Sequence, residues 1–459
     1  MKKNSKTIIT ALSFIIIILL ALFIGDISDN FNALMRILES PGILLSDSIA
    51  INRDYNGILN GFVLNLFLTV GLSLIFIKIA NAPFEGAVIA GVFTVAGFTF
   101  IGKNAFNVLP IFIGVILFSK FKKAELKTFI PALLFGTGIA PISSYIIFGA
   151  ALSHIPLAIR FPSAIAAGIV IGFLIPVIAP QALKFHGGFN LYNIGFTMGL
   201  LAVAAHGILR TAGIHVQSVG VPLEEYPDYT WPLMLSLTAL SISLIILAFI
   251  LDKNVVHKYK LILKQTGQLA ANFSESAGQS AVILNMGVMG LVALIVTIPI
   301  LIIADIPLLA ILVAGILTII GFAAFGKHPV NALPIMAGAM IAFLIIRAID
   351  SPFTSLIPTN HPDGPYLSPL NIHAYTCAIL FATCLAPISK EYGWKAGIIT
   401  GFFHMTIIIL GGNFQGGFNL YNNGWVAGLV GGTLVPIFHT FRRDPKKRKK
   451  RGELDTKLS

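Results

Sequence analysis

The sequence predicts an all-α integral membrane protein of about 14 spans, built as two inverted-topology repeats of about seven, with broken or re-entrant helices among them. Three observations predict it: apolar runs recur from residue 7 to residue 440, one set of sequence blocks occurs twice in the same order, and the basic residues gather on one predicted side. Of the 459 residues, 56% are hydrophobic and 11% charged, and the mean hydropathy is +0.88. A soluble chain of ordinary composition is about a quarter charged. Lipid must therefore cover much of this surface.

The spans of the first half lie near 7–25, 57–80, 85–102, 105–120, 128–149, 164–182 and 194–210. Those of the second lie near 231–251, 281–304, 306–325, 331–349, 371–388, 396–411 and 424–441. Many approach the ~20 residues that cross a bilayer as helix. The first run follows Lys2, Lys3 and Lys6 like a signal peptide. No small-residue cleavage site follows it, and its TALS string at 10–13 recurs at 238–241, so it reads as a span. The two halves are 1–230 and 231–441, with a basic tail over 442–459.

The repeat is direct. Ala90, Gly91, Thr94, Gly97, Phe98, Gly102, Lys103, Asn107, Leu109, Pro110 and Gly114 all recur 224 residues later. APIS at 140–143 returns at 386–389, and GGFNLYN at 187–193 returns unchanged at 416–422. Seven is odd, so the second half enters the membrane with opposite polarity. The positive-inside rule tests this independently. With both termini cytoplasmic, 25 of the 31 basic residues fall inside; Arg36, Arg53, Lys103, Arg160, Arg210 and Arg347 do not. The net charge of +12 is thus a topology signal, its tail attracted to anionic membrane lipid, and no nucleic-acid partner is expected. These signals place the chain in a bacterial cell (inner) membrane. The stretches 26–56, 211–230 and 350–370 read as outer segments, the last as a proline-rich ordered loop or lid. Cys377 and Cys384 share one helical face as small packing residues, with no disulfide or metal framework.

Inverted repeats place a substrate site near the midplane, where broken helices of the two halves meet. Three repeated blocks carry Gly, Pro and polar residues inside apolar sequence. The first holds Lys103, Asn107 and Pro110, with Lys327, Asn331 and Pro334 as counterparts, between runs short enough for re-entrant helices. Each lysine reads either as a cation flanking a pathway or as one whose head reaches back to the membrane surface. The second holds Asn190, Tyr192 and Asn193, repeated as Asn419, Tyr421 and Asn422. It reads as a polar lining without charge or as a turn that opens a helix. The third, APIS, reads as a proline kink whose serine satisfies the freed carbonyl. His186 faces Gln415 in the other copy, and Asn104 faces His328, so these histidines fall outside the shared pattern. No aspartate or glutamate lies at mid-span, which favours a channel or facilitator over a proton-coupled carrier. No H-E-x-x-H, G-x-S-x-G or P-loop occurs, so no enzyme and no metal or organic cofactor is expected.

As a whole the sequence resembles an uncharacterised family of bacterial multi-span membrane proteins, which implies no activity. Asn107-Val-Leu109-Pro110, Asn331-Ala-Leu333-Pro334 and FNLYN at 189–193 and 418–422 resemble pieces of urea transporters. The threonine and phenylalanine that follow leucine-proline in that family are not here, and seven spans per half exceed its five. The reading is a membrane transport protein (channel, facilitator or secondary transporter) for a small polar or anionic solute, as a homo-oligomer or alone. The alternative is a membrane-embedded enzyme or lipid-handling protein using the same central cavity.

Overall fold

The computed structural model describes residues 27–42, 58–216, 229–269, 271–353 and 369–442. The predicted span 7–25, residues 43–56, and most of 211–230, 350–370 and the basic tail lie outside the described residues. Within them the chain is helical, with no strand. The first half holds α1 (Ile27–Leu38), α2 (Ile58–Ile79), α3 (Gly86–Phe98), α4 (Ala105–Phe121), α5 (Ile130–Gly136), α6 (Pro141–Phe148), α7 (Leu157–Phe185) and α8 (Asn193–Thr211). The second holds α9 (Thr230–Leu251), α10 (Val255–Lys264), α11 (Phe273–Ala277), α12 (Gln279–Ala304), α13 (Ala310–Phe322), α14 (Pro329–Phe353), α15 (Pro369–Ala382), α16 (Ala386–Tyr392), α17 (Trp394–Phe414) and α18 (Asn422–Phe441).

Eight stretches among the described residues are long and apolar enough to cross a membrane. The predicted spans 85–102 and 306–325 are not through-going helices. α3 and α13 have 13 residues each, a rise of about 20 Å against a hydrocarbon core of ~30 Å. Hydropathy could not locate their ends, because the apolar run continues into non-helical backbone. The predicted spans 128–149 and 371–388 are interrupted too, by 3-10 turns at Thr137–Ile139 and Thr383–Leu385. Pro141 and Pro387 then sit in the first turn of the next helix, where a missing N–H costs nothing. The carbonyls that Pro141 and Pro387 leave free, those of Thr137 and Thr383, accept from the N–H groups of Ala140 and Ala386 rather than from Ser143. Thr137 donates to Leu134 O and Thr383 to Leu380 O, both at 2.6 Å, while Ser143 reaches across to Ala164 O.

The halves build themselves alike. In one, α4 packs on α7 with Gly114 against the Ile169 carbonyl and Gly172 against that of Ile111. In the other, α14 packs on α17 with Gly338 against Ile398 and Gly401 against Ile335. Small residues let helix backbones approach closely, the packing available in lipid where apolar burial drives little. The halves meet through α3 and α13. Gly97 lies against Ala314 and Gly321 against Ala90, so these helices run antiparallel and touch reciprocally, as copies related by a two-fold axis do. Both are almost wholly buried.

Candidate functional site

A broken helix leaves backbone groups that lipid cannot satisfy, so the protein must supply partners. After α3 the chain runs non-helically through 99–104, and after α13 through 323–328. Asn65 on α2 donates to the carbonyls of Thr99 (3.1 Å) and Lys103 (2.8 Å). Asn285 on α12 does the same for Ala323 and Lys327, at 2.7 Å each. Asn107 accepts from the Asn104 N–H and donates to Gly102 O and Ser144 Oγ. Asn331 accepts from the His328 N–H and donates to Gly326 O and Thr266 O. Asn107 and Asn331 therefore close the loop in each copy. Asn285→Ala leaves two buried carbonyls without their donor and is expected to cost about 2–4 kcal/mol, read as a lower thermal midpoint; Asn285→Gln is expected to recover little of it.

Each loop delivers its lysine to the other half. Lys103 Nζ donates to Tyr421 OH and stands over the rings of Tyr421 and Phe98, 4.6 and 5.5 Å from their centroids. Lys327 Nζ donates to Tyr192 OH at 2.6 Å and stands 4.4 and 5.2 Å from the Tyr192 and Phe322 centroids. Both lysines are 0% exposed, so neither head reaches a membrane surface. No carboxylate pairs with either among the described residues.

The tyrosines are positioned by the GGFNLYN turns. Gly187 and Gly188 (φ 58° and 80°), like Gly416 and Gly417 (φ 58° and 73°), take the left-handed backbone that glycine adopts freely. Asn190 accepts from the Tyr192 N–H and donates across to Gly424 O at 2.9 Å. Asn419 accepts from Tyr421 N–H and donates to Gly195 O at 3.2 Å. Leu191 N–H reaches Cys384 O and Leu420 N–H reaches Gly138 O, both at 2.9 Å. The asparagines thus bind the halves together.

The histidines belong to this pattern after all. His186 Nε2 meets Asn193 Oδ1 at 2.9 Å, and Gln415 donates to Asn422 Oδ1 at 2.5 Å. His328 and Asn104 each accept the N–H of the asparagine three residues on. Residue identity differs between copies while the job is kept. His186→Gln is therefore expected to cost under about 1 kcal/mol, and His186→Leu about 2–3 kcal/mol, compared by thermal unfolding of the purified variants.

Between the halves lies a cavity of about 240 Å³. Three pairs of equivalent rings line it: Phe98 with Phe322, Phe135 with Phe381, and Tyr192 with Tyr421. Phe98 meets Tyr421 edge-on at 4.7 Å, and Phe322 meets Tyr192 edge-on at 4.5 Å. Thr94, Thr318, Asn193 and Asn423 also face it. Of the sequence-predicted residues, Tyr192, Asn193 and Tyr421 line the cavity, and Lys103 and Lys327 stand behind the tyrosine rings. Asn190 and Asn419 hold the turns. Pro110 and Pro334 pack on Gly168 and Gly397, away from the cavity with Asn107, Asn331 and Asn422. The four phenylalanines, Asn65 and Asn285 were not foreseen. Phe98 and Phe322 could have been, since they stand in the repeated block.

A family model described as Protein of unknown function (DUF1576) matches residues 27–211, 251–360 and 365–440. No curated protein and no solved structure matches the chain, so the local likeness to urea transporters gains no support.

Proposed function

We propose, from the premise that the chain belongs to the DUF1576 family, that it is a membrane transport protein moving a small polar or anionic solute between its two halves. The observation that carries this reading is the pair of reciprocal contacts in which each half's buried lysine meets the other half's tyrosine at one cavity. An intramembrane ionisable residue is expensive and is kept for a pathway or a ligand. Here two such residues flank one space, in broken segments of the kind transporters use.

The finer architecture belongs to the same reading. α3 with the turns that follow it over 99–104, and α13 with those over 323–328, each count as one crossing. With the run 7–25 counted, seven crossings per half follow, the second half is inverted, and both termini face the cytoplasm of a bacterial cell. The antiparallel contact of α3 with α13 supports an axis lying in the membrane plane.

Stopped-flow light scattering on proteoliposomes tests the function, with urea, glycerol, small amides, formate and small organic acids as solutes. Transport predicts that one class enters much faster than into empty liposomes. If none does, the transport reading fails. Cysteine scanning of 85–86 and 306–307 with impermeant maleimide tests the inversion, which requires labelling from opposite faces.

A further inference from the structure

We infer that the cavity between the halves binds a compact monocarboxylate: one anionic head on an apolar body of about ten non-hydrogen atoms. The inference rests on the transport reading for its purpose and on the cavity for its chemistry.

Size comes first. A cavity of 150 Å³ holds benzene, so 240 Å³ suits an occupant of about ten non-hydrogen atoms. Character comes next. Seven aromatic rings line the wall, and strongly hydrated inorganic ions would lose water there without replacement. An apolar body gains by the same burial.

Charge decides the head. Two buried lysine amines lie immediately behind the tyrosine wall, each hydrogen-bonded among the described residues to a single neutral hydroxyl. A buried charge without a counter-charge is strongly unfavourable, and an arriving anion offsets it. A cation is disfavoured twice: the lysines repel it, and they already occupy the faces of Tyr192, Tyr421, Phe98 and Phe322 on which it would sit. Ring edges carry the positive end of the quadrupole and accept anions.

A separate observation points to an occupant. Thr94 donates to Ala90 O at 2.7 Å, but its equivalent Thr318, 1% exposed and lining the cavity, has no partner for its hydroxyl among the described residues. A buried hydroxyl left unpaired in one copy and paired in the other marks where a ligand oxygen is received.

The experiment is thermal unfolding of the full-length protein in detergent with benzoate, 3-methylbutanoate, benzamide, benzylamine and formate. Benzoate and 3-methylbutanoate are expected to raise the midpoint saturably, by about 3 °C at a hundredfold excess over Kd; the other three are not. Thr318→Val, which keeps the shape and loses the hydroxyl, is expected to weaken benzoate about tenfold. Equal shifts from benzamide and benzoate, or no shift from either acid, would overturn the inference. The same panel in proteoliposomes separates the two claims. Acids that bind while no solute of either panel crosses leave the site standing and sink transport. A different solute that crosses without competing with benzoate leaves transport standing and sinks the carboxylate.

Discussion

Replacing Lys327 with methionine is expected to lower solute flux at least a hundredfold while leaving the thermal midpoint unchanged or higher. The two effects have one cause. Methionine has nearly the length of lysine and no charge, so it fills the space beside Tyr192 and Phe322 without requiring an ammonium in a dry interior. Removing a poorly compensated buried charge in favour of an apolar side chain commonly stabilises by about 1–4 kcal/mol, set here against one hydrogen bond to Tyr192 OH worth about 1–2 kcal/mol. A functional group held at a cost to stability shows this opposite movement of activity and stability. Lys103→Met should behave alike because its contacts are equivalent. Flux assays and unfolding curves on one preparation suffice. A variant that is less stable and fully active would make the lysine a structural strut.

Gly338→Val is expected to be the most damaging single change to folding, at about 3 kcal/mol or more. Any side chain there meets the Ile398 carbonyl of α17, and both surfaces are helix backbone that cannot turn aside. Gly401 makes the complementary approach to Ile335 one helical turn away, so the crossing cannot shift without opening that contact as well. The control is Gly71→Ala on α2, where nothing lies within 4 Å and a helix former gains up to about 1 kcal/mol over glycine. Size-exclusion profiles from detergent extracts should separate the two. A monodisperse Gly338→Val protein with an unchanged midpoint would show that the α14–α17 crossing yields more readily than its geometry implies.

Helices, their approximate limits and the repeat were legible because apolar runs and recurring blocks are local properties. Lys103, Tyr192 and their copies were legible as candidates for the same reason. Their partnership was not. A repeat shows that Lys103 is equivalent to Lys327 but not that Lys103 meets Tyr421, since that contact spans 318 positions of sequence and is fixed only when the halves dock. Asn65 and Asn285 escaped notice because each is a single amide in an apolar span outside the repeated blocks, and its value lies in carbonyls that a broken helix exposes elsewhere. The ends of α3 and α13 were not legible because hydropathy measures what a segment dissolves in, not whether it is helical.

The reciprocal contacts have an evolutionary consequence. In a homodimer of one half-length ancestor, a mutation at such a contact strikes both ends of the axis at once. Joined on a single polypeptide, the ends are free to diverge, and they have done so: Asn104 stands opposite His328, His186 opposite Gln415, and a bonded Thr94 opposite an unbonded Thr318. Expressed as separate fragments, the halves would therefore be complements rather than substitutes, and two copies of either one would assemble a molecule with identical faces that this protein no longer has.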